Sequence, residues 1–149
     1  KILDNLKKYD ADIEIVSLGA LLHDIALIKK VGKRSDHHIN GAKIAEEILN
    51  KYNYPQEKIK RVKNCVLHHR TSFDAENKEE VCVSDADILS HFDNIPMIFD
   101  YAYKNYDVNL SNIRSFIKRY FENDYNDLSD KTKVIFKEEY ENIMNVLFK

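Results

Sequence analysis

The sequence predicts an all-α bundle of about seven or eight helices, and three observations predict it. Only three glycines and two prolines punctuate 149 residues, which suits long helices with short connections. Apolar residues recur at helical spacing through most segments. A hydrophobic content of 44% over this length gives one domain, residues 1–149, with a core of its own.

In chain order, residues 1–8 read as the tail of a helix ending before Tyr9-Asp10. Asp10 is placed to cap a second helix running to about Leu27. Its inward arc holds Ile13, Val16, Ala20, Leu27 and also His23 and Asp24, and the opposite side, with Leu18, Leu21, Leu22 and Ile25, is apolar too. A helix hydrophobic all round is expected to be central and buried. Val31–Ser35 is a short basic loop, and Asp36 caps a helix to about Lys51. Pro55 suits the first turn of the next helix, which ends near His69. Arg70 through Lys78 is polar and loop-like, placed to border a substrate entrance. A helix over about Glu79–Asp93 follows, and Pro96 starts another. Beyond Val108-Asn109, helices are expected over about Ser111–Asn123 and Ser129–Phe148. In the last of these, Val134, Phe136, Tyr140, Ile143, Met144, Leu147 and Phe148 supply core packing, with a dimer interface as the alternative.

The residues that carry chemistry are concentrated. Five of the six histidines lie in His-His or His-Asp doublets, and the sixth, His91, follows Asp87 by one helical turn. A carboxylate buried at Asp24 is costly unless paired. Imidazole beside carboxylate is a ligand pair for a divalent metal. A buried His23–Asp24 hydrogen bond serving structure alone would meet the same need. The repetition of His37-His38, His68-His69 and Ser84-Asp85-Ala86-Asp87 favours a metal site.

In order and spacing, LLHDIA (21–26), HHINGAKIAEEIL (37–49), VLHHR (66–70) and VSDADILSHF (83–92) resemble the HD superfamily of metal-dependent phosphohydrolases. The resemblance covers about residues 10–95 and is closest to small stand-alone members with a DAD-containing helix. It implies an all-helical HD-type bundle with the motif core at about 10–95; the helices of 96–149, which resemble the family only loosely, are expected from their apolar residues to pack on that core. It implies His23 and Asp24 as metal ligands and Asp87 as the distal aspartate ligand. His37, four residues before Gly41, resembles the helix-start histidine that adds ligands in binuclear members. His68 and His69 are further ligand candidates. Helical phase continues the inward face of Ile59, Val62 and Val66 onto His69 and turns His68 away; a core histidine is the alternative for His69. His38 reads as a solvated neighbour. Phase also sets Asp85 on the arc of Val81, Ile88 and Phe92 and Asp87 toward Ser84 and His91. The resemblance prevails, leaving Asp85 as a partner of the ligands or a general base.

Two departures from the family pattern stand out. The family's first ligand is a histidine on the helix before the doublet, and no residue before His23 is histidine; the chain starts with Lys1, so a missing N-terminal segment is expected to carry it. Many catalytic members also place lysine three residues after the aspartate, where this chain has Leu27, followed by Lys29 and Lys30.

The expected function is therefore hydrolysis of a nucleotide or other small phosphoester or phosphoanhydride by metal-bound hydroxide. Asp24 lies at the centre, and His69 or Asp85 handles protons. Lys33, Arg34 and Arg70 are loop cations able to hold phosphate oxygens, with solvated surface charge as the alternative for each. Imidazole and carboxylate ligands favour one or two ions of manganese, iron, cobalt, nickel or zinc over calcium. The alternative function is a catalytically silent HD domain binding a nucleotide as a sensor or interaction module. A net charge of −2 with acid and base interspersed speaks against general nucleic-acid binding. No apolar run approaches a membrane span. Cys65 and Cys82, in apolar helical contexts outside any Cys-x-x-Cys pair, read as reduced core residues of a cytoplasmic protein. The partner expected is a small phosphorylated substrate, bound by a monomer or homodimer.

Overall fold

The computed structural model describes residues 9–105 and 109–149; the helix tail expected over 1–8, and Val108, lie outside them. The described residues form helices and no strand: α1 Ile13–Leu22, the single turn α2 Ile25–Ile28, a 3-10 turn Arg34–Asp36, α3 His37–Lys51, α4 Gln56–Leu67, α5 Lys78–Asp93, α6 Ile95–Asn105, α7 Leu110–Asp127 and α8 Asp130–Phe148. Their contacts divide the chain into two compact units, with the division inside α5 between Asp87 and Ile88.

In the first unit, Asp12 rather than Asp10 caps α1. Its Oδ1 accepts from the amides of Glu14 (3.0 Å) and Ile15 (3.5 Å). Asp10 is exposed in a left-handed turn at φ 50°, so the helix begins two residues later than expected. Burial opposes the Asp12 charge, but those amides together with Arg61 and Lys58 hold its carboxyl below the usual range.

The expected continuous helix to Leu27 is interrupted at His23-Asp24. Ala20 O, which would serve the residue-24 amide in an unbroken helix, accepts a hydrogen bond from His23 Nδ1 at 2.7 Å. Nor is α1 buried all round. Ile15, Val16, Gly19 and Leu22 are buried, whereas Ile13 is 56% and Leu21 73% exposed. Counting one phase through a helix that stops at Leu22 placed Ile13 on the wrong side. Gly19 permits close approach to α4, since a Cβ there would lie 2.8 Å from Cys65 Cβ.

Asp36 occupies the α3 N-cap position but makes no side-chain bond to the helix amides; its carboxylate accepts from Ser35 Oγ at 2.9 Å. Pro55 precedes α4 at its N-cap. Ala42, Ala45 and Leu49 of α3, with Ile59, Val62, Cys65 and Val66 of α4, join Ile15 and Val16 in the core, completed by Cys82 and Val83 of α5. This packing brings the C-terminal end of α1, the N-terminal end of α3 and the C-terminal end of α4 to one place.

In the second unit, Asn109 caps α7 through a 2.9 Å bond to the Ser111 amide, and Ser129 caps α8. Its core joins Ile88, Leu89 and Phe92 to Ile98, Ile113, Ile117, Phe121 and Phe136. The Phe92 ring lies 4.9 Å from Phe121 and 5.0 Å from Phe136, in the tilted and edge-on arrangements aromatic quadrupoles favour. Tyr140, Ile143, Met144, Leu147 and Phe148 pack partly buried against this core, while Val134 is exposed. Among the described residues, no helix is long and apolar enough to cross a membrane.

Candidate metal centre

Three histidines from three helix termini share one local device. His23 Nδ1 donates to Ala20 O (2.7 Å), His37 Nδ1 to Arg34 O (2.6 Å) and His69 Nδ1 to Val66 O (2.7 Å), each a carbonyl three residues earlier. A carbonyl oxygen only accepts, so Nδ1 carries the proton in all three rings. In the neutral imidazole the lone pair is then on Nε2, and such a hydrogen bond fixes both tautomer and ring orientation, as it does in metal-binding histidines.

These Nε2 atoms converge with carboxylates. His37 Nε2 and His69 Nε2 are 3.0 Å apart, although both rings have already committed Nδ1 as donor. Two lone pairs facing at that distance repel unless a proton or a cation lies between them. Metal–nitrogen bonds of about 2.0–2.1 Å place neighbouring ligand nitrogens roughly 3 Å apart, so the spacing fits a shared ion. Asp24 Oδ1 stands 3.3 Å from His37 Nε2 and 3.9 Å from His69 Nε2. Asp24, His37 and His69 together offer three ligand atoms within 4.8 Å of one another. The other carboxylate oxygen, Asp24 Oδ2, lies 3.7 Å from His23 Nε2, which is itself 3.4 Å from Asp87 Oδ1. Asp24 thus presents one oxygen to His37 and His69 and the other to His23, whose second neighbour is Asp87.

The surroundings set opposite proton affinities on two of the rings. Burial disfavours the charged form of His69, which is 2% exposed, and pushes it down to about 4 despite the Val66 carbonyl and the Asp87 charge. Burial also opposes the charge on His23, but the hydrogen bond and charge of Asp87, the Ala20 carbonyl and Asp24 outweigh it and raise His23 to about 9. His69 is therefore a ready neutral ligand, and His23 holds a proton in the absence of a cation.

The remaining candidates fall elsewhere. His68 Nδ1 donates to Glu80 Oε2 at 2.7 Å, and Glu80 is fully buried. Asp85, also fully buried, accepts from the Tyr9 hydroxyl at 3.0 Å. Neither belongs to the three-ligand cluster. Lys33 and Arg34 are exposed, and the Arg34 carbonyl serves His37. Arg70 Nη1 reaches Ser35 O at 3.4 Å, tying the loop after His69 to the turn before His37. His38 is half-buried rather than solvated. Its Nδ1 has no hydrogen-bond partner among the described residues, and burial, Arg70 and His37 hold its pKa below the ordinary value. Tyr9 and Glu80 were missed from sequence. A glutamate in a first helical turn has a helix-dipole explanation that conceals its role, and nothing local marks Tyr9 as the partner of Asp85.

Residues 1–91 match the HD domain family. A 57-residue stretch is 37% identical to an uncharacterized protein of Clostridium beijerinckii (strain ATCC 51743 / NCIMB 8052), covering 38% of this chain and 36% of that protein. The chain thus spans little more than a third of that relative's length. No solved structure matches. The family match covers more than half of the chain and all the converging side chains, and the chain belongs to the HD domain family.

Proposed function

We propose that the protein is a metal-dependent phosphohydrolase acting on a nucleotide or other small phosphoester or phosphoanhydride. HD domains bind divalent metals, and the superfamily is one of metal-dependent phosphohydrolases. The observation that carries the reading here is the 3.0 Å approach of His37 Nε2 to His69 Nε2 with both Nδ1 protons already committed. Asp24, His37 and His69 hold one divalent transition ion. His23, Asp87 and the second oxygen of Asp24 provide ligands for another.

A divalent ion bound there lowers the pKa of water and neutralises charge developing on a phosphoryl group. The chain's own residues do the rest. Nδ1 bonds to Ala20, Arg34 and Val66 keep three imidazoles oriented. Arg70, Lys33 and Arg34, on the loops flanking His69 and His37, hold phosphate oxygens. His69 acts as ligand rather than proton carrier, since its Nε2 faces His37 and its Nδ1 is occupied. Asp85, buried against the Tyr9 hydroxyl, orders the first unit rather than moving protons, and His68 belongs with Glu80.

Metal content by mass spectrometry, on protein purified without chelator, tests the reading. One or two equivalents of transition metal and metal-dependent phosphate release from nucleotides are expected. No bound metal, and none taken up on adding manganese or nickel, would overturn it; metal without phosphate release would leave the nucleotide-sensing alternative.

The two shifted histidines make a pH prediction for metal-free protein. His23, raised from 6.5 to about 9, contributes stability that is complete below about pH 6.5 and lost as pH rises through 9. His69, lowered to about 4, resists protonation that the unfolded chain accepts, so stability falls as pH drops from 6.5 toward 4. Melting temperature measured with chelator should therefore fall on both sides of about pH 6.5. Saturating metal should remove the alkaline limb, because the cation replaces the His23 proton. A metal-free melting temperature that keeps rising from pH 6.5 to 9 would contradict the role assigned to His23.

A further inference from the structure

His23, His37 and His69 each donate Nδ1 to the carbonyl three residues earlier. For His38 that carbonyl is Ser35 O, and the bond is not made: its Nδ1 is buried and has no hydrogen-bond partner among the described residues. What stands at Ser35 O instead is Arg70 Nη1, at 3.4 Å. The Arg70 guanidinium is also close enough for its charge to act on the His38 ring. Two donors thus lie near one carbonyl, and the residue bonded to it is the exposed Arg70 rather than the half-buried His38.

The two sides of this arrangement are held unequally. A buried N–H without an acceptor is among the least tolerated polar groups, so with Ser35 O taken the proton of a neutral His38 ring belongs on Nε2. Arg70 Nη1 makes a long bond from an exposed side chain, one that water replaces at little cost. Ser35 lies in the turn Arg34–Asp36, whose Arg34 carbonyl orients His37, and Arg70 follows His69 in the chain. The His38 ring meets the His37 ring edge-on, with centroids 5.7 Å apart. Freeing Arg70 therefore leaves an acceptor beside a ring nitrogen that lacks a partner.

We propose that His38 is a positioning residue that acts through Arg70: when Arg70 turns from Ser35 O to a phosphate oxygen at the metal centre, His38 Nδ1–H takes its place on that carbonyl. The ring is neutral before and after, since the proton that leaves Nε2 for solvent is matched by one gained at Nδ1. The exchange offsets the contact Arg70 gives up and keeps the turn ahead of His37 tied while the guanidinium moves. The phosphate half of the proposal rests on the phosphohydrolase reading; the competition for Ser35 O does not.

Long-range proton–nitrogen correlation NMR spectra of the imidazoles read the tautomer directly, with the His38 signals assigned by their loss in His38→Asn. In the zinc-loaded protein His38 should carry its proton on Nε2, and saturating inorganic phosphate should move it to Nδ1. Arg70→Met, which removes the guanidinium from Ser35 O, should show the Nδ1 form without phosphate. Calorimetric titration with inorganic phosphate gives a second readout. His38→Asn keeps an N–H at the Nδ1 position and should bind phosphate as wild type does, whereas His38→Gln, with its N–H at the Nε2 position, should bind about fivefold more weakly. Nε2 protonation in Arg70→Met, or equal phosphate affinity in the Asn and Gln variants, would overturn the proposal. The Nδ1 form in Arg70→Met, with a wild-type ring indifferent to phosphate, would keep the exchange at Ser35 O and remove Arg70 from the phosphate-holding residues of the phosphohydrolase reading.

Discussion

Asp24→Ala is expected to strip the protein of metal altogether and to lower phosphate release at least about a thousandfold. The size of the effect follows from position. Asp24 Oδ1 faces His37 and His69, and Oδ2 faces His23, so one substitution removes a ligand from both groups of donors. Asp87→Ala should behave differently, because Asp87 stands 3.4 Å from His23 and outside the Asp24–His37–His69 group. It should cost one equivalent of metal and leave the Asp24–His37–His69 ion in place. Metal analysis of both variants distinguishes these outcomes. The Asp24 side chain is 40% exposed, so the metal-free melting temperature of Asp24→Ala should stay close to wild type. Full metal occupancy in Asp24→Ala would refute the shared-carboxylate arrangement.

Glu80→Ala should produce the largest loss of stability. The Glu80 carboxylate is fully buried and receives His68 Nδ1, the Glu76 amide and the Asn77 side chain. Removing it leaves three donors without their acceptor and a gap in the packing, at a cost of about 3 kcal/mol. For a chain of this size that corresponds to a fall of roughly 6–12 °C in melting temperature. Glu80→Gln keeps the shape and an acceptor oxygen and should recover about half of it. Since Glu80 anchors the segment that starts at His68, Glu80→Ala should also weaken metal binding at neighbouring His69. A melting temperature within 2 °C of wild type, measured by calorimetry, would show that the buried carboxylate contributes nothing net.

The helices were legible because periodicity and turn chemistry are local. Pro55, Ser129 and the scarcity of glycine placed helix boundaries to within a few residues. The misreadings were also local, but of another kind. Asp10 and Asp12 are both acceptable caps by residue type; the left-handed turn at Asp10 chose between them. Similarly, counting phase from Ile13 assumed an unbroken helix, and the backbone leaves the helical region at Asp24, just after His23. The phase argument for the α5 aspartates faced inward at Asp85, which is indeed the fully buried one, while Asp87 lies beside His23 with part of its side chain in solvent.

By itself, the sequence determined that this protein is helical, that it belongs with the HD domains, and that its imidazoles and carboxylates are clustered in doublets. These are properties of residue type and short spacing. Only the tertiary structure decided which lone pairs meet. His37 and His69 face each other because α3 starts where α4 ends, and His23, at the end of α1, stands 3.4 Å from Asp87 of α5. His68 and His69 are adjacent in the chain yet part company, one to Glu80 and one to the centre. Such choices depend on distances between helix ends far apart in sequence and on which carbonyl each Nδ1 finds, and no local pattern encodes either.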